Sequence, residues 1–158
     1  MNIYDFLKTG KLKGLKTGDT EYLVYQKFDK KVLGKKLYTD SQYTDMFYFY
    51  AFGGALEICF VFHEVSHFTV TPHNHFFFLE YQQQKHWLDQ LDNFHEFVEL
   101  LHTMNIGWRF LRRYCRDKQL AIITEHHVVA FFDYTHKDSV EVEFQVNGND
   151  RFEQADKV

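Results

Sequence analysis

The string His63-Glu64-Val65-Ser66-His67 spells H-E-x-x-H. Zinc hydrolases use that pattern on a helix, where the two imidazoles share one face and the glutamate lies beside the metal-bound water. Here the flanks are Ile58-Cys59-Phe60-Val61-Phe62 and Phe68-Thr69-Val70, β-branched and aromatic runs that favour strands. Along one continuous strand the imidazoles would stand about 13 Å apart, at roughly 3.3 Å per residue. Across a turn they could approach, but not in the helical arrangement. A zinc-dependent hydrolase using His63, Glu64 and His67 is therefore kept only as an alternative, and the expectation is no catalytic residue, no metal and no cofactor.

The other reactive residues lead to the same expectation. His73-Asn74-His75 spells H-N-H, but that nuclease motif needs a ββα-metal setting and a basic surface; beside Pro72 it reads as a polar turn. His126, His127 and His136 fall in loops near the C-terminal strands. Cys59 and Cys115 lack a C-x-x-C spacing and read as two reduced thiols. No G-x-S-x-G, Walker or dinucleotide fingerprint occurs. Gly10, Gly14 and Gly18 alternate with Lys11, Lys13 and Lys16, which predicts successive turns.

One polar pattern points outward instead. Asp89, Asp92, Glu96 and Glu99 are spaced 3, 4 and 3 apart, so a helix would align them in a single stripe. The stripe is either a solvated face opposite Phe97 and Leu101 or a docking surface for a cationic partner, with Trp87 as a nearby aromatic anchor. Glu141 and Glu143 add acidity further on. Residues 1–40 hold nine Lys and five acidic groups, whereas the remainder holds nine basic and seventeen acidic groups, within a net charge of −4. Such a balance disfavours nucleic acid and suits a basic protein.

The elements that must carry these residues are legible from periodicity. At 158 residues, with 45% hydrophobic and 19% aromatic content, the chain suits a single domain, 1–158, with a packed core. Residues 46–51, 55–62 and 65–70 read as three strands, with turns at Phe52-Gly53-Gly54 and His63-Glu64. A shift of 73 residues lands on three more: Leu120–Thr124, Val128–Tyr134 and Ser139–Val146. In the last, Val140, Val142, Phe144 and Val146 alternate with Ser139, Glu141, Glu143 and Gln145, as in a strand with one wet face. The same shift relates a helix from Asp19-Thr20-Glu21 to Phe28 with one opened by Asp92-Asn93-Phe94. Phe94, Phe97, Val98, Leu101 and Met104 form the apolar face of the second helix, and Gly107 suits its C-terminal cap. Trp108–Cys115 reads as a helical turn or an irregular strand. The expected fold is α+β, two tandem helix-plus-antiparallel-β-meander units (1–72 and 73–148) sharing one core, with 149–158 a frayed tail.

The start lacks a basic and an apolar signal region, and no apolar run is long enough to span a bilayer; the expectation is a cytoplasmic protein without membrane contact.

The opening Asp5-Phe6-Leu7-Lys8-Thr9-Gly10-Lys11-Leu12-Lys13-Gly14-Leu15-Lys16-Thr17-Gly18 resembles that of small bacterial proteins with a short helix, F-L, G-x-L, G-hydrophobic-x-x-G, then a helix. Phe52-Gly53 with Leu56-Glu57-Ile58-Cys59-Phe60, then Ile106-Gly107-Trp108 and Ile122-Ile123-Thr124, continue the likeness over most of the chain. Phe28–Lys35 departs from it by lacking a proline. These proteins look like immunity proteins of bacterial toxin systems, including contact-dependent growth inhibition, with a plan similar to the β-lactamase inhibitor protein fold. The resemblance implies a non-enzymatic inhibitor that binds and neutralises a cognate toxin domain, and it supplies no catalytic residues. A homo-oligomeric binding or structural module is the alternative; the sequence leaves the oligomeric state open.

Overall fold

A computed structural model describes residues 1–38, 47–72, 75–91, 93–135 and 141–147. Met46, His73, Asn74, Asp92, His136, Ser139, Val140 and the tail 149–158 lie outside the described residues. The elements in chain order are α1 (Tyr4–Thr9), α2 (Glu21–Lys27), α3 (Lys30–Leu33), β1 (Leu37–Tyr38), β2 (Phe47–Phe52), β3 (Leu56–Val61), β4 (Glu64–Val70), β5 (Phe78–Tyr81), β6 (Gln84–Trp87), α4 (Phe94–Thr103), β7 (Trp108–Phe110), β8 (Gln119–Thr124), β9 (Val129–Asp133) and β10 (Glu141–Asn147). The class is α+β.

Eight strands form one antiparallel sheet in the order β1-β2-β3-β4-β10-β9-β8-β7. That order is two antiparallel meanders abutted through their last strands, with Phe144 opposite Val70 and Val146 opposite Phe68 at the seam. Helices cover one face, here the front. Leu56, Ile58, Phe60, Phe68, Val70, Phe132, Phe144 and Ile122 point there and are buried with Val24 of α2 and Phe97 and Leu101 of α4 in one continuous cluster. The cluster crosses the seam because strand side chains alternate in phase across neighbouring strands.

The β3–β4 turn places both Phe62 (φ 51) and His63 (φ 66) in the left-handed region. Two such residues give the tight turn whose twist matches the flanking strands, a site that favours Asn and Gly over an aromatic. The register then shifts between Cys59 and Phe60, leaving Ser66 as the extra residue of a bulge. The H-E-x-x-H string thus spans a turn and a bulged strand, as its flanks predict.

Two features correct the sequence reading. First, α4 is not capped by Gly107. The left-handed residue is Asn105 (φ 53); its N–H reaches the His102 carbonyl at 3.0 Å, and the Ile106 N–H reaches that of Leu101 at 2.9 Å. This pair satisfies the orphan carbonyls of the last turn two residues earlier than expected. Second, the stretch between the meanders holds elements to which the sequence reading assigned no structure. It carries the β5–β6 hairpin, closed by Gln82 (φ 49) and Gln83 (φ 65). Neither glutamine is a usual hairpin-turn residue, so no local signal announced it. Trp108–Cys115, read as strand or helical turn, is both: β7 followed by a 3-10 turn at Arg112–Tyr114.

Gly10 ties the N-terminus to the second meander. It ends α1 at φ 68, and a Cβ there would lie 2.8 Å from the His126 carbonyl oxygen. Only glycine accommodates both the conformation and that approach.

Candidate partner-binding surface

The predicted acidic stripe does not form as one helical face. Asp89 lies on a 3-10 turn (Leu88–Gln90) that precedes α4. Its carboxylate accepts the His75 backbone N–H at 2.7 Å and lies 3.1 Å from the His75 ring nitrogen. Burial pushes that carboxyl up, but the bonds from His75 outweigh it and leave the group below its ordinary range. Glu96 is also engaged: the Asn93 side chain accepts the Glu96 N–H at 3.1 Å and donates to the Glu96 carboxylate at 3.2 Å, a reciprocal N-terminal cap. Asp92 lies outside the described residues, and Glu99 is exposed on α4. Trp87, half-buried on β6, packs against Phe78 and His75 at 5.3 and 5.2 Å, with the Lys85 ammonium 3.8 Å from its ring centre. The spacing 3-4-3 assumed an unbroken helix from 89 onward; the chain instead starts α4 at Phe94, where Asn93 offers the cap.

The densest polar constellation lies elsewhere and was not anticipated. Glu21, in the first turn of α2, points at the sheet with its side chain 14% exposed. Its carboxylate accepts hydrogen bonds from Tyr25, from Tyr50 at 2.8 Å and from Tyr48 at 2.9 Å. Lys36 lies 2.9 Å away and stacks its ammonium 4.2 Å from the Tyr48 ring centre. Tyr48 also reaches the His63 ring nitrogen at 3.1 Å. Burial pushes the Glu21 carboxyl up, but the hydrogen bonds from Tyr25, Lys36, Tyr50 and Tyr48 prevail and hold it at about 2. Burial, with Glu21 and Tyr25 beside them, raises the phenols of Tyr48 and Tyr50 well above their usual range. Every donor here meets an acceptor, so the cluster is a clamp, joining α2, β2 and the β3–β4 turn. The Glu21–Tyr25 spacing of four on a helix was its one visible signal.

The clamp holds two aromatics into solvent. The Glu21 N–H bonds the His63 carbonyl at 3.0 Å, Gly18 bonds Val65 at 2.8 Å, and Val65 bonds back to Asp19 at 2.8 Å. Each partner of the first of these bonds has an exposed aromatic as its chain neighbour: Phe62, 63% exposed, precedes His63, and Tyr22, 68% exposed, follows Glu21. A bulky residue in a left-handed turn position is conformationally costly, and burial does not compensate Phe62 for it.

The remaining candidates stay apart. His63 lies in the turn and His67 on β4; His126 and His127 occupy the β8–β9 turn. Among the described residues no group of three His, Cys, Asp or Glu could hold a metal ion. Cys59 on β3, pushed up to about 12 by burial and the nearby Glu57, and Cys115 just after the 3-10 turn are free thiols. Among the described residues no helix is long and apolar enough to cross a membrane. In comparisons with protein-family models, curated proteins and solved structures, the chain matches none of them.

Proposed function

We propose that this chain is a non-enzymatic immunity protein that binds and neutralises a cognate bacterial toxin domain in the cytoplasm of the cell that makes both. The observation that carries the reading is Phe62, a solvent-exposed aromatic in a left-handed turn that the Glu21 clamp holds through His63, with a second exposed aromatic, Tyr22, next to Glu21 in the chain. A rigid aromatic that is already ordered loses little entropy on binding, and such residues supply much of the affinity of protein interfaces. The resemblance of the N-terminal segment to immunity proteins names the class of partner. Charge favours a basic toxin, since residues 41–158 carry a balance of −8.

The test is co-expression with the toxin encoded beside it, reading growth and the association and dissociation rates of the pair. Phe62→Ala with Tyr22→Ala is expected to speed dissociation at least about 10-fold and abolish protection, because anchors act on the off-rate. Glu96→Lys with Glu99→Lys is expected to slow association, with a weaker salt dependence, if the acidic residues of α4 steer the partner. Full protection by both double variants would remove the proposed interface, and the toxin reading with it.

A further inference from the structure

The back of the sheet, opposite the helices, has two unlike parts. Over β8 and β9 the chain from Leu111 to Cys115 lies as a ridge, closing a small separate core of Leu111, Ala121, Ile123 and Val129, with Tyr114 edge-on to Phe131 at 6.1 Å. The ridge and its flanks are basic. Residues 109–118 carry Arg109, Arg112, Arg113, Arg116 and Lys118 against Asp117 alone, while the rest of the chain holds thirteen basic and twenty-one acidic groups. Arg112, Arg113, Arg116 and Lys118 are exposed.

Next to the ridge, among the described residues, the back of the sheet holds an open groove. Cross-strand register places Glu143 opposite Phe131, and Gln145 opposite Thr69, which in turn faces Glu57. The floor is a groove of about 290 Å³ lined by Thr71, Gln119, Phe131, Glu143 and Gln145 among others. Burial raises the Glu143 carboxyl, Gln145 partly offsets this, and the charge of Glu57 pushes the same way as burial. Two carboxylates thus repel each other on a half-buried surface, which a facing cation would relieve.

We propose that two copies of this chain associate back to back, each seating its Arg112–Arg116 ridge in the groove that Asp133, Glu141 and Glu143 line on the other, with Glu57 two strands away. A twofold axis running between the sheets, parallel to the strands and near the β9–β10 boundary, exchanges ridge and groove in one operation. Facing sheets stand about 10 Å apart, which is the thickness of one layer of chain, so two ridges side by side fill the layer between them. The alternative pairing through the β7 edge would bring Arg109 against its own copy, a like-charge juxtaposition that blunts edges. This inference does not depend on the toxin reading and is tested without a toxin.

The experiment is sedimentation equilibrium of the purified full chain at low and high salt, with thermal unfolding as a control for fold. Wild type is expected at twice the chain mass in about 0.05 M salt, where screening is weak, and at lower mass when salt is raised about 10-fold. Arg112→Glu with Arg113→Glu, and separately Glu57→Lys with Glu143→Lys, are each expected to weaken self-association at least about 10-fold. Mixed in equal amounts, the two reversed chains are expected to form a heterodimer, because each ridge then meets a groove of opposite sign. If the lysine variant does not fold, Glu57→Gln with Glu143→Gln takes its place, and the mixture must still associate more tightly than either chain alone. A monomeric wild type at low salt, a dimer indifferent to ridge reversal, or folded reversed chains that ignore each other would each overturn the proposal.

Discussion

The two meanders hold their helices to the same face of one sheet by opposite means. α4 is fixed by hydrocarbon: Phe97 is 0% exposed and packs on Phe132 and Phe144 at 5.5 and 5.2 Å, while Phe94 stands edge-on to Phe132 at 5.4 Å. α2 buries only Val24 outright. Its grip comes from Glu21 and the hydroxyls of Tyr25, Tyr48 and Tyr50, over the stacked Tyr48–Phe60 pair at 4.9 Å. The hydrophobic force that buries the α4 rings is non-directional; a charged hydrogen-bonded cluster fixes geometry and is costly when one member is lost. The first meander is therefore built for position, and it is the one that presents Phe62 and Tyr22.

The largest expected effect breaks the apolar side. Phe97→Ala should cost about 3–5 kcal/mol in urea unfolding, since a fully buried ring is removed and a cavity remains. Circular dichroism and tryptophan fluorescence should give one coincident transition, because the buried cluster crosses the seam; separated transitions would mean that the meanders unfold independently.

Next comes the polar side. Glu21→Gln should cost roughly 2 kcal/mol at neutral pH, somewhat less than the full shift implies because solvent reaches the site. The pH dependence has a definite sign. The carboxyl sits at about 2 in the folded chain against an ordinary 4.5, so its contribution is complete above about 4.5 and is lost as pH falls toward 2. Wild type should therefore lose stability over that window, and the Glu21→Gln chain should show a flatter profile there. Parallel acid limbs would show that the clamp is not electrostatic.

A smaller effect separates the helix ends. α2 finishes on Phe28 in an extended conformation, buried and only 5% exposed, whereas α4 finishes on the left-handed Asn105. Asn105→Val should cost about 1–2 kcal/mol, because a β-branched side chain is strained at positive φ, and Asn105→Gly should be neutral or slightly stabilising. The smallest effect concerns Glu99: Glu99→Lys should shift the thermal midpoint by the equivalent of less than about 0.5 kcal/mol, as expected of a solvated position.

The sequence alone determined β2, β3, β4, β8, β9 and β10, both principal helices and the apolar face of α4, because period-2 and period-3.6 patterns report burial directly, whereas the short β1 and the β5–β6 hairpin left no such pattern. It also determined that the H-E-x-x-H string sits in β structure, since Ile58–Phe62 and Phe68–Val70 leave no helix to hold it. Only the tertiary structure decided what the polar residues do. Asp89 turned to His75 and Glu96 to Asn93, so two members of a stripe drawn by spacing went to local bonds. Glu21 met Tyr48 and Tyr50 from 27 and 29 residues away, and Glu143 came to share one groove with Thr71, Gln119 and Phe131. Hydrophobic burial is averaged over an element and leaves a periodic trace, whereas a hydrogen bond or a charge contact is made between two particular atoms, and the chain between them carries no record of the meeting.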